Sequence, residues 1–144
     1  MKKIESILVP VDFSAPARAG LNLALELAKK FGARVTMLHV YGLPVYAFPE
    51  GAVFGPEVLT RLASAAQDAV DRLRVEVASH GVDVTAVSTV GTPAEEIVDR
   101  VKSHGFDLIV MGTHGRTGLK HALLGSVAER VVRLATCPVL TVRE

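Results

Sequence analysis

The stretch from Gly112 to Ser126, GTHGRTGLKHALLGS, gathers the residue types best suited to chemistry in this chain. Gly112 and Gly115 have no side chain to hold a ligand off the backbone, and both tolerate positive φ where a chain must turn. Gly125 and Ser126 precede an apolar-periodic segment. They are therefore expected to open a helix whose free N–H groups and dipole favour an anion. Ser126 adds a hydroxyl donor, and Arg116 and Lys120 add positive charge. Together these features describe a cradle for phosphate oxygens. The alternative is a surface loop whose glycines only punctuate turns. On the cradle reading, Gly125→Val is expected to exclude phosphate and spare the fold.

The remaining polar residues are sparser. Asp12, just after the first apolar run, is the sole candidate general base, and one carboxylate is thin ground for an enzyme. No G-x-x-x-x-G-K-[ST] occurs, and Gly112-x-x-Gly115-x-x-Gly118 is not the dinucleotide G-x-G-x-x-G. His114 and His121 lack a third ligand for a metal. His39 lies within a strand-like run and reads as a partly buried, hydrogen-bonded side chain. His80 and His104 precede helix-ending glycines, where capping explains them, and Cys137 reads as a small packed residue.

These residues need elements to position them, and the hydrophobic pattern supplies five strands and four helices. Ser6–Val11, 33–40, 82–88, 107–111 and 138–142 are short β-branched runs. The first and fourth are nearly unbroken apolar, as central parallel strands are; the third alternates, as a strand nearer an edge does. Ser14 is an N-cap and Gly32 a stop for the first helix. A long helix from Pro56 is expected to bury Leu59, Leu62, Ala66, Ala69, Leu73 and Val77. Thr92-Pro93-Ala94-Glu95 reads as a capping box, and Gly125-Ser126 opens the last helix. The βαβαβαβαβ order implies a doubly wound α/β fold, a parallel sheet with helices on both faces. Ligands of such sheets bind beyond the strands' carboxyl ends, where Asp12 and Gly112 both lie. Residues 41–55 form an aperiodic apolar segment with Tyr41, Tyr46, Phe48 and Phe54, either a lid or contact surface or a loop folded onto the core.

Composition sets the outer bounds. With 144 residues, 49% hydrophobic and 22% charged, a single domain spanning 1–144 with its own core is expected. A net charge of +1 argues against nucleic-acid phosphates as the main partner. No apolar run approaches the roughly 18 residues of a membrane span, and one cysteine excludes an internal disulfide. The N-terminus runs directly into a strand without a leader-like segment, so a cytoplasmic protein is expected.

Gly112, two residues, Gly115, nine residues, then Gly125-Ser126 resembles the nucleotide motif of the universal stress proteins. Ile7 to Ser14, Leu108 to Gly115, Gly125 to Ala128 and Cys137 to Leu140 resemble further segments of that family, so the likeness spans nearly the whole chain. It implies the single-domain, ATP-binding type, with five strands in the order 3-2-1-4-5. It further implies that the backbone around Val40 meets the adenine and that Pro10, Val11 and Asp12 lie beside ribose and phosphates. Asp12 would serve a ribose hydroxyl or a phosphate-bound Mg²⁺, and the resemblance does not choose. Gly112, His114, Gly115, Arg116, Gly125, Ser126 and Val127 would surround the ribose and phosphates, chiefly through backbone amides. The implied function is a cytosolic ATP-binding stress-response or signalling protein; the alternative is a slow ATP hydrolase or nucleotide-dependent transferase. A response-regulator phosphoacceptor is disfavoured, since Ser88-Thr89-Val90-Gly91 stands where its aspartate would end the third strand. A homodimer through Pro138 to Val142 is also expected, from an uncovered apolar edge and from the resemblance, with Leu140→Pro as its probe.

Overall fold

The computed structural model describes residues 2–43, 55–115 and 123–144. Along the chain lie β1 (Ser6–Pro10), α1 (Ala15–Phe31), β2 (Arg34–Tyr41), α2 (Pro56–Val77), β3 (Val84–Val90), α3 (Pro93–His104), β4 (Leu108–Gly112), α4 (Ser126–Leu134) and β5 (Val139–Val142). The strands pair, all in parallel, in the order β3-β2-β1-β4-β5. The class is the one that the pattern of runs implied, and the order is the one that the family resemblance implied. The central strands β1 and β4 are buried along nearly their whole length because a core covers each face. Ile7, Val9, Val35 and Met37 pack under α1 and α2, with Leu21, Leu25, Val70 and Val77. Leu8, Leu38, Ile109 and Met111 pack on the other face under α3 and α4, with Ile97 and Val131. Period-two alternation along each strand thus divides its side chains between two cores.

The caps form where local chemistry requires them, with one exception. The Ser14 hydroxyl accepts the Ala17 N–H at 3.3 Å, and Gly32 closes α1 in the left-handed region at φ 67°. Thr92 is the N-cap of α3 but its side chain makes no capping hydrogen bond, so the expected capping box is not built. Glu95 instead reaches Arg130 of α4 at 3.0 Å, tying the two helices together.

The buried face of α2 is also shifted from expectation. Ala66, Val70, Leu73 and Val77 are buried, whereas Leu59 is 41% exposed and Leu62 and Ala69 are half-buried. The 22 residues of α2 span about 33 Å, against about 23 Å for the seven of β3. The helix therefore outruns the strand, and its first turns have no sheet beneath them.

Candidate functional site

The β1–α1 turn is built around Asp12. Its carboxylate Oδ1 accepts the Ser14 N–H at 3.0 Å and the Ser14 hydroxyl, which fastens the turn to the start of α1. Between them Phe13 has φ 64°, the one described non-glycine residue in the left-handed region. Across the sheet switch point, β4 ends in Gly112 and leads into Thr113, His114 and Gly115. The Thr113 hydroxyl and His114 Nδ1 lie 3.0 Å apart.

These strand ends enclose one cleft of about 280 Å³. Pro10, Val11 and Asp12 line it from β1, Leu38 to Val40 from β2, and Met111 to Gly115 from β4. Pro93 and Ile97 of α3 and Gly125 to Ala128 at the start of α4 complete the wall. Its surface is two-sided. Apart from His39, the β2 and α3 wall is apolar, with Leu38, Val40, Pro93 and Ile97; the wall from β1, β4 and α4 adds Asp12, Thr113, His114 and Ser126 to the apolar Met111 and Ala128. Pro10, Val11, Asp12, Val40, Gly112, His114, Gly115, Gly125, Ser126 and Val127 thus come together from four separate segments. Arg116, Lys120 and His121 lie outside the described residues, as do Tyr46, Phe48 and Phe54; Tyr41 ends β2.

The helix start differs in detail from the simple cradle. The Gly125 N–H is not free: it donates to the Thr113 carbonyl at 2.6 Å, which leaves Ser126, Val127 and Ala128 as the first-turn donors without an intrahelical acceptor. The glycines also serve other ends than ligand approach, and none of Gly112, Gly115 and Gly125 has positive φ. A Cβ on Gly112 would lie 2.7 Å from the Pro16 carbonyl carbon, so that glycine lets α1 pack against β4. On Gly115 it would meet the Asp12 Oδ2 at 2.7 Å, and on Gly125 the Thr113 carbonyl oxygen at 3.2 Å. Gly125→Val would therefore require the Thr113 backbone to give by a few tenths of an ångström, so the substitution bears on the loop as well as on a phosphate.

Among the described residues no three acidic, histidine or cysteine side chains converge as a metal cage, and Asp12 is the one carboxylate lining the cleft. That donor set suits a Mg²⁺ that arrives on phosphates, for which one carboxylate and water complete the shell. His39 Nδ1 bonds the Val11 carbonyl at 2.9 Å, and His80 Nδ1 the Val77 carbonyl at 3.1 Å, as satisfied histidines do. Cys137 is half-buried against the α3–α4 core, and burial pushes its thiol pKa up, away from a reactive thiolate. No described helix is long and apolar enough to cross a membrane.

Comparison with known proteins agrees with this architecture. The sequence model of the universal stress protein family matches residues 3–143. A universal stress protein of Methanocaldococcus jannaschii is 36% identical over 142 residues, covering 97% of this chain and 82% of its own length. The solved structure of universal stress protein UspA from Lactobacillus plantarum superposes with a TM-score of 0.80 at 30% identity, covering 99% of this chain and 100% of that one. Two more distant structures share the fold: a universal stress protein in complex with cAMP (TM-score 0.73, 21% identity, 98% of each chain) and an Arabidopsis thaliana family member with AMP bound (TM-score 0.66, 19% identity, 97% of this chain and 92% of that one).

Proposed function

This chain belongs to the universal stress protein family, and on that premise we propose that it binds an adenine nucleotide, ATP with Mg²⁺, in the cleft beyond β1, β2 and β4. The carrying observation is the polarity of that cleft. An apolar half beside Val40 and Ile97 fits a base, and a half with Asp12, Thr113 and the α4 amides fits ribose and phosphates. The backbone near Val40 receives the adenine, Pro10 and Val11 flank the sugar, and Asp12 holds a ribose hydroxyl or the ion on the phosphates. His114, Gly115 and the amides of Ser126 and Val127 face the phosphate chain. Bound Mg²⁺ would neutralise phosphate charge that this cleft meets with few described cations. That cAMP and AMP occupy two proteins of the same fold supports an adenine nucleotide as the ligand class.

The 144 residues act as one cytoplasmic domain, a stress-response or signalling protein that works through conformation and partner contacts. It assembles as a homodimer through β5. Titration calorimetry of the protein with ATP and Mg²⁺ tests the cleft reading, with ADP and AMP as competitors. Saturable heat is expected, together with a thermal shift equivalent to about 2.7 kcal/mol at a hundred times the dissociation constant. Neither heat nor shift at millimolar ATP would overturn it.

A further inference from the structure

His39 is a positioning residue for Asp12, we infer, and acts on the cleft from behind the β1–α1 turn; this deepens the nucleotide reading above and rests on it. Two contacts carry the inference. His39 Nδ1 lies 2.9 Å from the Val11 carbonyl, and the His39 and Phe13 rings meet at 4.7 Å between centroids and 56° between planes. A carbonyl oxygen only accepts, so Nδ1 carries the proton and donates. His39 therefore grips the residue before Asp12 by a hydrogen bond and the residue after it by ring contact.

The grip falls where the backbone needs it. Phe13 sits at φ 64°, a conformation that a bulky L-residue reaches only when its surroundings hold it there. Phe13 is 43% exposed, so burial in the core does not supply that force. The Asp12–Ser14 hydrogen bonds close the turn from the α1 side, and His39 braces it from β2. His39 alternates along β2 with Val35 and Met37, which face α1 and α2, whereas Leu38 faces the other core. The imidazole thus reaches the turn from the sheet face opposite α3 and α4. Without the brace, Phe13 relaxes toward negative φ and the carboxylate between the two contacts swings away from its place beside Gly115.

Two measurements test this, one with ligand and one without. His39→Leu removes both contacts, and urea unfolding of the variant establishes that it folds. With ATP and Mg²⁺, His39→Leu is expected to weaken binding about tenfold in the wild-type background but less than about twofold in Asp12→Asn, because the pair acts as one unit. His39→Asn, which keeps a donor at the Nδ1 position, should recover part of the loss. Equal losses in both backgrounds, or no loss, would overturn the role. Without ligand, a residue in the left-handed region gives a strong intraresidue amide–Hα NOE. That NOE is expected to be strong at Phe13 in the wild type and to fall to the ordinary intensity of a negative-φ residue in His39→Leu; undiminished intensity in the variant would overturn the brace. A wild type that takes up no ATP would overturn the nucleotide reading and the role in binding with it, while the NOE still decides whether His39 sets the turn.

Discussion

Gly112 and Gly115 are only three residues apart, yet the absent side chain matters for different reasons. At Gly112 the space a Cβ would fill is taken by Pro16 backbone at 2.7 and 2.8 Å, and Gly20 of α1 is also tight there, its Cβ position 3.2 Å from the Gly112 nitrogen. Helix and strand touch there through two glycines, with nothing flexible to yield. Gly112→Ala is therefore expected to destabilise the fold by about 1–3 kcal/mol, as overpacked sites do, with a matching fall in the urea midpoint. At Gly115 the obstacle is one oxygen of the Asp12 carboxylate, a side-chain end that can give way only by straining its bonds to Ser14. Gly115→Ala should therefore lower the urea midpoint less than Gly112→Ala and register chiefly as weaker nucleotide binding. An unchanged midpoint for Gly112→Ala would mean that α1 slides off β4 without cost.

At the scale of elements, the parallel class and the central or edge character of single strands were legible because their causes are local and periodic, whereas the full strand order came from the family resemblance. Unbroken apolar runs mark β1 and β4 as central, and alternation marks β3 as an edge. Caps at Ser14 and Gly32 were legible for the same reason. The Glu95 partner, the α2 overhang and the role of Gly112 were not, since each depends on which element arrives from far along the chain. Asp107 is a further case. It stands one residue before β4 and its Oδ2 accepts the Glu5 and Ser6 N–H groups at 3.0 Å and the Ser6 hydroxyl at 3.1 Å, while Oδ1 meets Lys2 Nζ at 2.9 Å. It thus joins the start of β1 to the start of β4, about a hundred residues away. The Lys2 ammonium and these N–H donors lower its pKa from 3.8 to about 2. A carboxyl lowered by folding adds stability above its ordinary pKa and loses it as pH falls through the folded value, here between about 4 and 2. Asp107→Asn should therefore unfold more readily in urea at pH 6, with the deficit shrinking toward pH 2. A deficit that stays constant over that range would show that the charge contributes nothing.

For the whole molecule, the decisive question is what becomes of the two outer edges of the sheet. The β3 edge is occupied by a side chain. Gln67 of α2 donates from Nε2 to the Ala86 carbonyl at 3.1 Å and accepts the Ser88 N–H at Oε1, 3.0 Å away, so one side-chain amide takes the place of one residue of a parallel sixth strand. The Ser88 hydroxyl adds a third bond at 2.8 Å. At β5 nothing comparable is seen among the described residues, and Leu140, Val132 and Leu134 are 37%, 47% and 43% exposed on β5 and the neighbouring α4. An edge that no described residue covers, beside exposed apolar side chains, would favour a second copy over solvent, and a two-fold axis would let the same strand pair with itself antiparallel. The register identifies the groups involved. The Pro138 and Val142 carbonyls accept from Ile109 and Thr113 beside β4, so alternation turns Leu140 inward as well and leaves Val139 and Thr141 with outward N–H groups. Leu140→Pro would thus break the sheet of one subunit, and the discriminating probe is Thr141→Pro, which removes only an outward donor. Light scattering at micromolar concentration should give a dimer for the wild type. Thr141→Pro should give a folded monomer, or a dimer weakened at least about tenfold, the equivalent of one or two lost hydrogen bonds and some packing. A wild-type monomer, or a Thr141→Pro dimer of undiminished affinity, would move the interface elsewhere.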